Sequence, residues 1–382
     1  MRRPAGGAGP RPRHDQRMRA AIRIGCATIL VGAAAALPGA STAAARCGGE
    51  TFSADNSPGA CWRPFSAASP FNVRLPQVPR QTLDSLLIAT RFGGYAQGPR
   101  FQVGNADTPT DYGHPIYFNR PANPLYRIDC TAFGGQCGVD GHRIQIPNQA
   151  LPAGGDDGHL AVIDQERGWE YDFWQVTEKP RGGRGKLRVG WGGRTPIGTA
   201  DAEGLGAGAT AAGFALSAGV SRPAELRTGE IDHALFITVP CTNGTAVWPA
   251  GRNPGGVCSS TPSELGAPAM GQRLYLEMTA TEIDVLAVPA WQKTILRAMA
   301  EYGMFVGDTG GPANGWEIKV ESGSSFTSFG KPDPWVKLAN RYGLIPQLAN
   351  DGTHRYSFDL STAVDWAHEL RVAAPCVSHR RC

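Results

Sequence analysis

The chain has 382 residues, with 37 Lys and Arg against 33 Asp and Glu, and a formal net charge of +4. The basic excess lies in the first 45 residues, which hold seven arginines and one aspartate, so the remainder has 30 basic and 32 acidic residues and a net charge of −2. A nucleic-acid partner would require a basic surface, and this remainder does not provide one. No later segment is apolar over enough residues to cross a membrane as a helix, so we expect no membrane insertion.

The first 45 residues have the organisation of a secretory signal peptide. Residues 2–23 form a basic region, residues 24–37 an apolar stretch, and three alanines at 43–45 a small-residue cleavage site. We therefore expect a mature chain that begins at Arg46 and is secreted.

Eight cysteines follow the leader, and an even number in an exported chain predicts disulfides. They fall into four sequential clusters, which favours pairing within each cluster: Cys47 with Cys61, Cys130 with Cys137, Cys241 with Cys258, and Cys376 with Cys382. No CxxC motif occurs, and no histidine lies near a cysteine pair at zinc-ligand spacing. We therefore predict no metal site, and no cofactor is expected.

Short strand-like runs separated by turns rich in Gly and Pro predict a mostly β protein, a jelly-roll-like β-sandwich over residues 46–346. The runs cover residues 100–103, 115–119, 126–129, 142–146, 159–164, 169–176, 187–191, 231–240, 272–277, 304–308 and 316–321. Helices are predicted at 289–302, 334–342 and 361–372. Residues 347–382 are expected to be a C-terminal tail held by the last disulfide.

The stretch from residue 158 to residue 176, GHLAVIDQERGWEYDFWQV, has the pattern of a β-hairpin. Two runs rich in β-branched and aromatic residues flank a polar turn that ends in Gly168. Closing this turn pairs Asp164 with Trp169 and, by counting back, Ala161 with Asp172. Side chains alternate between the two faces of a strand. The polar face then holds His159, Glu170, Asp172 and Trp174, and the apolar face holds Leu160, Val162, Tyr171 and Phe173.

The polar face of this hairpin is interpreted as part of an active site. Glu170 and Asp172 would lie roughly 6 to 7 Å apart, from a rise of about 3.3 Å per residue, and carboxylates at such separations act as acid/base pairs in glycoside hydrolysis. Trp174 offers an apolar plate on which a sugar ring can stack, and His159 completes the face. The alternative interpretation is that both carboxylates face water on the outside of a sheet.

A second candidate segment begins at Asp232 and His233, just before a buried strand. His233 is either a hydrogen-bonded core residue or the partner of a carboxylate such as Asp172 in an acid/base pair. Asp308 ends a later strand beside Thr-Gly-Gly. One interpretation is that it flanks a cleft together with Trp316, but we favour a turn residue, because an Asp beside Gly-Gly usually belongs to a turn.

A polysaccharide lyase is the alternative enzyme. Such enzymes use a Tyr and a His to abstract the proton beside a uronic carboxylate, which makes Tyr112, His114, His142 and Gln145 the candidate residues. The near-neutral charge of the mature chain argues against a polyanionic substrate, although a local groove could differ.

The segments GHLAVID, EYDFW, GEIDHAL and APAMGQRLYLEM are similar to those of an uncharacterised family of exported bacterial proteins. This resemblance covers most of residues 60–330 and implies a single β-sandwich unit. Glu170-x-Asp172-x-x-Gln175 also resembles the E-x-D-x-x-E strand of laminarinase-type jelly-roll endo-glucanases, which implies Glu170 as nucleophile and Asp172 as its orienting residue. Gln175 stands where that motif has its acid and cannot donate the proton, so the acid would have to come from elsewhere.

These observations predict a secreted, monomeric enzyme that hydrolyses the glycosidic bonds of an extracellular, uncharged polysaccharide. The alternatives are a polysaccharide lyase and a non-catalytic carbohydrate-binding or cell-envelope protein. The expected catalytic residues are Asp172, Glu170, His233 and His159, and the expected substrate-binding residues are Trp174, Gln175, Asp232, Tyr112 and His114.

Overall fold

The computed structural model describes residues 51–104, 111–251, 253–259, 266–310, 315–349 and 352–382. The predicted leader and Cys47 lie outside the described residues. Strand accounts for 26% and helix for 18%, which confirms a protein with more strand than helix.

The strands of the described residues are numbered in chain order. They are β1 Gln97–Gly104, β2 Ile116–Phe118, β3 Leu125–Cys130, β4 Arg143–Gln145, β5 Leu160–Asp164, β6 Trp169–Trp174, β7 Lys186–Val189, β8 Trp191–Pro196, β9 Leu235–Val239, β10 Arg273–Leu276, β11 Met304–Thr309, β12 Gly315–Ile318, β13 Gln347–Leu348, β14 His354–Asp359 and β15 Leu370–Val372. Each strand predicted from the sequence is present, although β9 begins only at Leu235, after His233.

Three of the α-helices among the described residues have eight or more residues, and the others are shorter. They are α1 Ser85–Gly93, α2 Pro223–Thr228, α3 Ala280–Val285, α4 Ala290–Glu301, α5 Ser324–Thr327, α6 Pro334–Arg341, α7 Trp366–Glu369 and α8 Pro375–Ser378, with a 3₁₀ turn at Arg181–Gly183. Among these residues no helix has the length and apolarity needed to span a bilayer.

Helix α4 shows how local sequence sets an element. Pro289 precedes its first turn, where a missing N–H costs nothing. Gly303 adopts φ 71° after its last turn, and the Gly303 amide donates to the Ala298 carbonyl, which is glycine's usual role at a helix end. The predicted apolar stripe of Trp291, Ile295, Ala298, Met299 and Tyr302 is buried in the main core.

The predicted helix at 361–372 is wrong over most of its length. Only Trp366–Glu369 is helical, and Leu370–Val372 is a strand that pairs with β10. Pairing with the sheet overrides the helical pattern here because Leu370 and Val372 alternate into the core. Helix α1 and strands β8, β13 and β14 were not predicted.

The strands form three sheets. An eight-stranded sheet has the order β13-β14-β1-β12-β9-β11-β10-β15, a four-stranded sheet the order β2-β5-β6-β8, and a three-stranded sheet the order β4-β3-β7. Four pairs are parallel: β1 with β12, β9 with β11, β2 with β5, and β3 with β7. Jelly rolls are antiparallel, so the predicted jelly-roll sandwich is not confirmed.

The segment 347–382 is built into the main sheet. It supplies β13 and β14 at one edge and β15 at the other. The predicted disulfides Cys130–Cys137, Cys241–Cys258 and Cys376–Cys382 are present. Cys61 is also disulfide-bonded, and Cys47, its predicted partner, lies outside the described residues.

Candidate functional site

The hairpin of β5 and β6 has the predicted register. Asp164 pairs with Trp169, Ile163 with Glu170, and Ala161 with Asp172. The apolar face packs into one core cluster, as expected. The opposite face is also covered, because Ala161 and Ile163 belong to the main core. The polar face is therefore closed over at Glu170 and Asp172, and only its end at His159 and Trp174 reaches a cleft.

Glu170 and Asp172 are therefore interior residues, each 0% exposed. The Ser217 amide donates to Glu170 Oε1 at 2.8 Å, and the Ser217 hydroxyl donates to the other oxygen of that carboxyl. The Leu216 amide donates to Asp172 Oδ2 at 3.1 Å. The two carboxyls thus hold the backbone at residues 216–217, and neither can contact a polysaccharide. The prediction that they catalyse the reaction directly does not fit this burial.

Burial raises the pKa of Glu170 and of Asp172, and the neighbouring Glu170 charge raises that of Asp172 further, well above its ordinary value. Two adjacent buried carboxyls cannot both ionise at low cost. Asp172 Oδ1 has no other hydrogen-bond partner among the described atoms, which suits a protonated oxygen shared with Glu170. We interpret the pair as one carboxylic acid and one carboxylate that share a proton.

The chain just before the backbone held by this pair forms one wall of a large cleft. Residues 206–213 line the cleft, and they pack so closely on β8 that a Cβ on Gly193 would lie 1.6 Å from the Ala207 oxygen. Gly193 is thus required by the close approach of two backbones.

The cleft has a volume of about 970 Å³. Besides the wall of residues 206–213, its lining is formed by polar, charged and aromatic side chains. These are Arg100, Gln102, Tyr112, Phe133, Asp156, Asp157, His159, Trp174, Trp191, Thr238, Asn253, Asp308, Thr309, Glu317, Lys319 and Arg355. A concave site with several convergent polar groups is the usual form of a ligand-binding site.

The floor of the cleft is a row of side chains across the eight-stranded sheet. Asp308 on β11 pairs with Thr238 on β9, Thr238 pairs with Glu317 on β12, and Glu317 pairs with Arg100 on β1. All four residues line the cleft. Neighbouring strands lie about 4.8 Å apart, so the backbones at Asp308 and Glu317 are separated by roughly 10 Å, with Thr238 between them.

Asp308 is a carboxyl of this row whose environment favours its protonated form. The Thr309 amide donates to its Oδ1 at 2.8 Å and the Ala211 amide to its Oδ2 at 3.3 Å. Burial nevertheless raises the pKa of Asp308 to about 6, and the Asp157 charge also acts in that direction, while these hydrogen bonds and the Lys319 charge partly offset it. Glu317 forms an ion pair with Arg100 at 3.1 Å. The row thus combines a carboxyl suited to donate a proton with an ion-paired carboxylate.

Three aromatic rings form another part of the cleft wall. Phe133 is stacked on Trp174 with ring centroids 6.3 Å apart, and it meets Trp191 edge-on at 6.0 Å. The Trp174 indole N–H donates to Asp157 Oδ1 at 3.3 Å. Trp174 thus lies where the sequence predicts a platform for a sugar ring, although Phe133 and Trp191 were not predicted.

Two of the other predicted site residues, His159 and Tyr112, also line the cleft. Burial, with the Lys319 charge as a second cause, lowers the pKa of His159 to about 3, so this imidazole is neutral. His114 lies behind it with ring centroids 4.9 Å apart, and its Nδ1 is 2.7 Å from the Leu216 carbonyl oxygen. The Tyr112 hydroxyl donates to Asp156 Oδ1 at 3.3 Å.

The remaining predicted residues lie elsewhere. His233 Nε2 is 3.2 Å from Glu225 Oε1, so its carboxylate partner is Glu225 and not Asp172. Asp232 forms an ion pair with Arg63 at 3.2 Å. Gln175 takes a left-handed φ of 51° at the end of the hairpin. None of the three lines the cleft. Asp232 and His233 precede β9, which presents its far end, at Thr238, to the site.

Comparisons with protein-family models, with curated proteins and with solved structures found no match to this chain. The resemblances noted in the sequence therefore gain no support from them. Within the ranges that the structure covers, no group of three or more His, Cys, Asp or Glu side chains could hold a metal ion.

Sequence reasoning missed Glu317 and Thr238, and it set Asp308 aside as a site residue. Asp308 was interpreted as a turn residue because Thr-Gly-Gly follows it. The available signal was that charged residues alternate with apolar ones in the predicted strand at 316–321 and that an aspartate ends the predicted strand at 304–308. The order of strands that brings these residues together was not predictable from that signal.

Proposed function

We propose that this protein hydrolyses glycosidic bonds of an extracellular polysaccharide bound in the cleft, with Asp308 as general acid and Glu317 as general base. The observation that carries the proposal is the floor row, where two carboxyls lie two strands apart on one face, beside an aromatic wall. The predicted leader and the disulfides support action outside the cell.

The separation of the two carboxyls favours an inverting reaction. Inverting glycosidases hold their carboxyl groups about 6.5–9.5 Å apart so that a water molecule fits between the base and the sugar. Asp308 would give its proton to the glycosidic oxygen as the bond to the leaving sugar breaks. Glu317 would take a proton from the water whose oxygen forms the new bond to the anomeric carbon. Thr238 lies between them, and its buried hydroxyl, which has no other partner among the described atoms, is suited to orient that water.

The other cleft residues would bind the sugar chain. Trp174 and its aromatic neighbours would stack on sugar rings, and the neutral imidazole of His159 would exchange hydrogen bonds with hydroxyls. Glu170 and Asp172 would act indirectly, because they hold the segment whose Ala211 amide bonds to Asp308.

The test is a panel of glycans assayed for new reducing ends with wild type, Asp308→Asn and Glu317→Gln. Asp84→Asn is the matched control, since Asp84 is exposed and makes no side-chain hydrogen bond to helix α1. We expect hydrolysis by wild type and the control, and a loss of about 10²–10⁴-fold in both cleft variants. Hydrolysis that survives in both cleft variants would exclude this carboxyl pair.

A lyase is the second candidate, and the observation that favours it is the environment of Tyr112. The Arg355 guanidinium lies 5.0 Å and the Lys319 Nζ 5.9 Å from the centroid of the Tyr112 ring, as in a site for a uronic carboxylate. Burial and the Asp156 charge raise the pKa of Tyr112, which disfavours the phenolate needed as a base. Ultraviolet absorbance of an unsaturated product would identify a lyase, and retention on a glycan without product would identify a binding protein.

A further inference from the structure

Lys319 is a buried cation at the floor of the cleft. Lys319 is 8% exposed, and it follows β12 directly, two positions after Glu317. Its Nζ donates to the Tyr112 carbonyl oxygen at 3.2 Å. An ammonium group has three N–H donors, and this is the one hydrogen bond of Nζ within the part of the chain that the structure describes.

The buried ammonium also has no counter-ion in the described ranges, where no carboxylate oxygen lies within 4.0 Å of it. Glu317, two positions before Lys319, is engaged by Arg100 at 3.1 Å. Buried lysines are normally paired, because an uncompensated charge is costly to remove from water. An anionic group of a ligand would supply the missing partner.

Arg355 adds positive charge at the same place. Its guanidinium packs on the Tyr112 ring, and both cations line the cleft and a small recess beside it together with Gln102. The Lys319 charge also acts on Asp308 and His159. The Lys319 ammonium is therefore close to the proposed acid, and a group bound to it would belong to a sugar next to the cleaved bond.

We propose that the cleft takes an acidic polysaccharide, and that Lys319 binds the carboxylate of a uronic acid residue. This second proposal rests on the proposed function, because it names the class of substrate that the same cleft would bind. It differs from the expectation of an uncharged substrate, which came from the net charge of −2. A whole-chain charge averages over the surface, whereas a buried ammonium in a cleft acts locally.

The test is a binding measurement with the hydrolytically impaired Asp308→Asn chain. Homopolymeric uronans are compared with the same polymers after reduction of their carboxyl groups to alcohols. We expect binding of the native uronan at least about tenfold tighter than binding of the reduced polymer, as for a hydrogen bond to a charged group. Equal binding of the two forms would overturn the proposal, and this comparison needs no change at Lys319.

Lys319 itself is then tested by two substitutions in the Asp308→Asn background. Lys319→Met keeps the length of the side chain and removes its charge, and we expect it to abolish the preference for the native uronan. Lys319→Arg should retain the preference. Lys337→Met, at an exposed lysine of helix α6, is the control and should leave binding unchanged. A preference that persists in a folded Lys319→Met chain would overturn the assignment to this residue.

The two proposals fail in different ways. If the uronan is bound with the expected preference but wild type releases no reducing ends from it, the hydrolase proposal fails and the subsite stands. If wild type hydrolyses a neutral glycan and shows no preference for carboxylated polymers, the subsite fails and the hydrolase stands.

Discussion

The substitution Asp308→Asn should remove activity and raise stability at the same time. Burial raises the pKa of Asp308 to about 6 from an ordinary value of 3.8. Above pH 6 the folded protein holds Asp308 as a carboxylate in an environment that favours the protonated form. The pKa shift of about two units corresponds to a loss of at most about 3 kcal/mol in the free energy of unfolding. Solvent in the cleft reduces that figure, because Asp308 is only half-buried.

The amide introduced by Asp308→Asn would not ionise, but it offers one acceptor fewer than the carboxylate. Asp308 accepts from Thr309 at 2.8 Å and from Ala211 at 3.3 Å, and one lost hydrogen bond costs about 1 kcal/mol. The expected net gain in the free energy of unfolding is therefore at most about 2 kcal/mol at pH 8. At pH 3 both side chains are neutral, so the variant should be less stable than wild type by about 1 kcal/mol.

The assay is urea unfolding of wild type and Asp308→Asn at several pH values, beside reducing-end release. The sign follows from the raised pKa: the folded state binds the proton more strongly, so the contribution of Asp308 to the stability of wild type falls as pH rises from about 4 to about 6 and then levels off. The kcat/KM of wild type should fall about tenfold per pH unit above pH 6 as the acid loses its proton. A variant that is destabilised equally at pH 3 and pH 8 would refute the reasoning.

Three further predictions concern other parts of the site. Asp172→Asn should keep activity and should flatten the fall in stability as pH rises above 3.8, the ordinary pKa of this carboxyl, measured by urea unfolding, because burial raises the pKa of Asp172; a steeper fall would contradict the shared proton. Trp174→Ala should weaken glycan binding about tenfold in calorimetry, and unchanged affinity would remove the aromatic platform. Thr238→Val should lower kcat about tenfold with little change in KM, and a change confined to KM would show that its hydroxyl binds the sugar.

The hairpin shows which features the sequence could predict. The turn at 165–168 fixes the register of β5 against β6, and that register is local. The burial of Glu170 and Asp172 was not predictable, because the cover comes from residues 216–217 in a stretch rich in Gly and Ala that has no strand or helix pattern. The sequence therefore predicted that both carboxyls face an open site, whereas the structure places them in the interior.

The row of side chains on the cleft floor shows what the sequence could not predict. The strands that carry Asp308 and Glu317 were predicted, but β9 lies between them in the sheet and precedes both by more than sixty residues. Such an order depends on parallel pairing over long separations, and the local pattern around Asp308 is also that of a turn. A register shift between Val306 and Asp308 turns the Asp308 side chain toward the cleft. No residue pattern in the sequence predicts this shift.

The most direct test of the carboxyl pair is the anomeric configuration of the first product, followed by proton NMR during hydrolysis of a glycan that the panel identifies. Two carboxyls two strands apart, with Thr238 between them, predict that the new reducing end first appears with inverted configuration and then equilibrates by mutarotation. A first product with retained configuration would contradict the account, since it requires a nucleophile closer to the acid than Glu317 lies to Asp308.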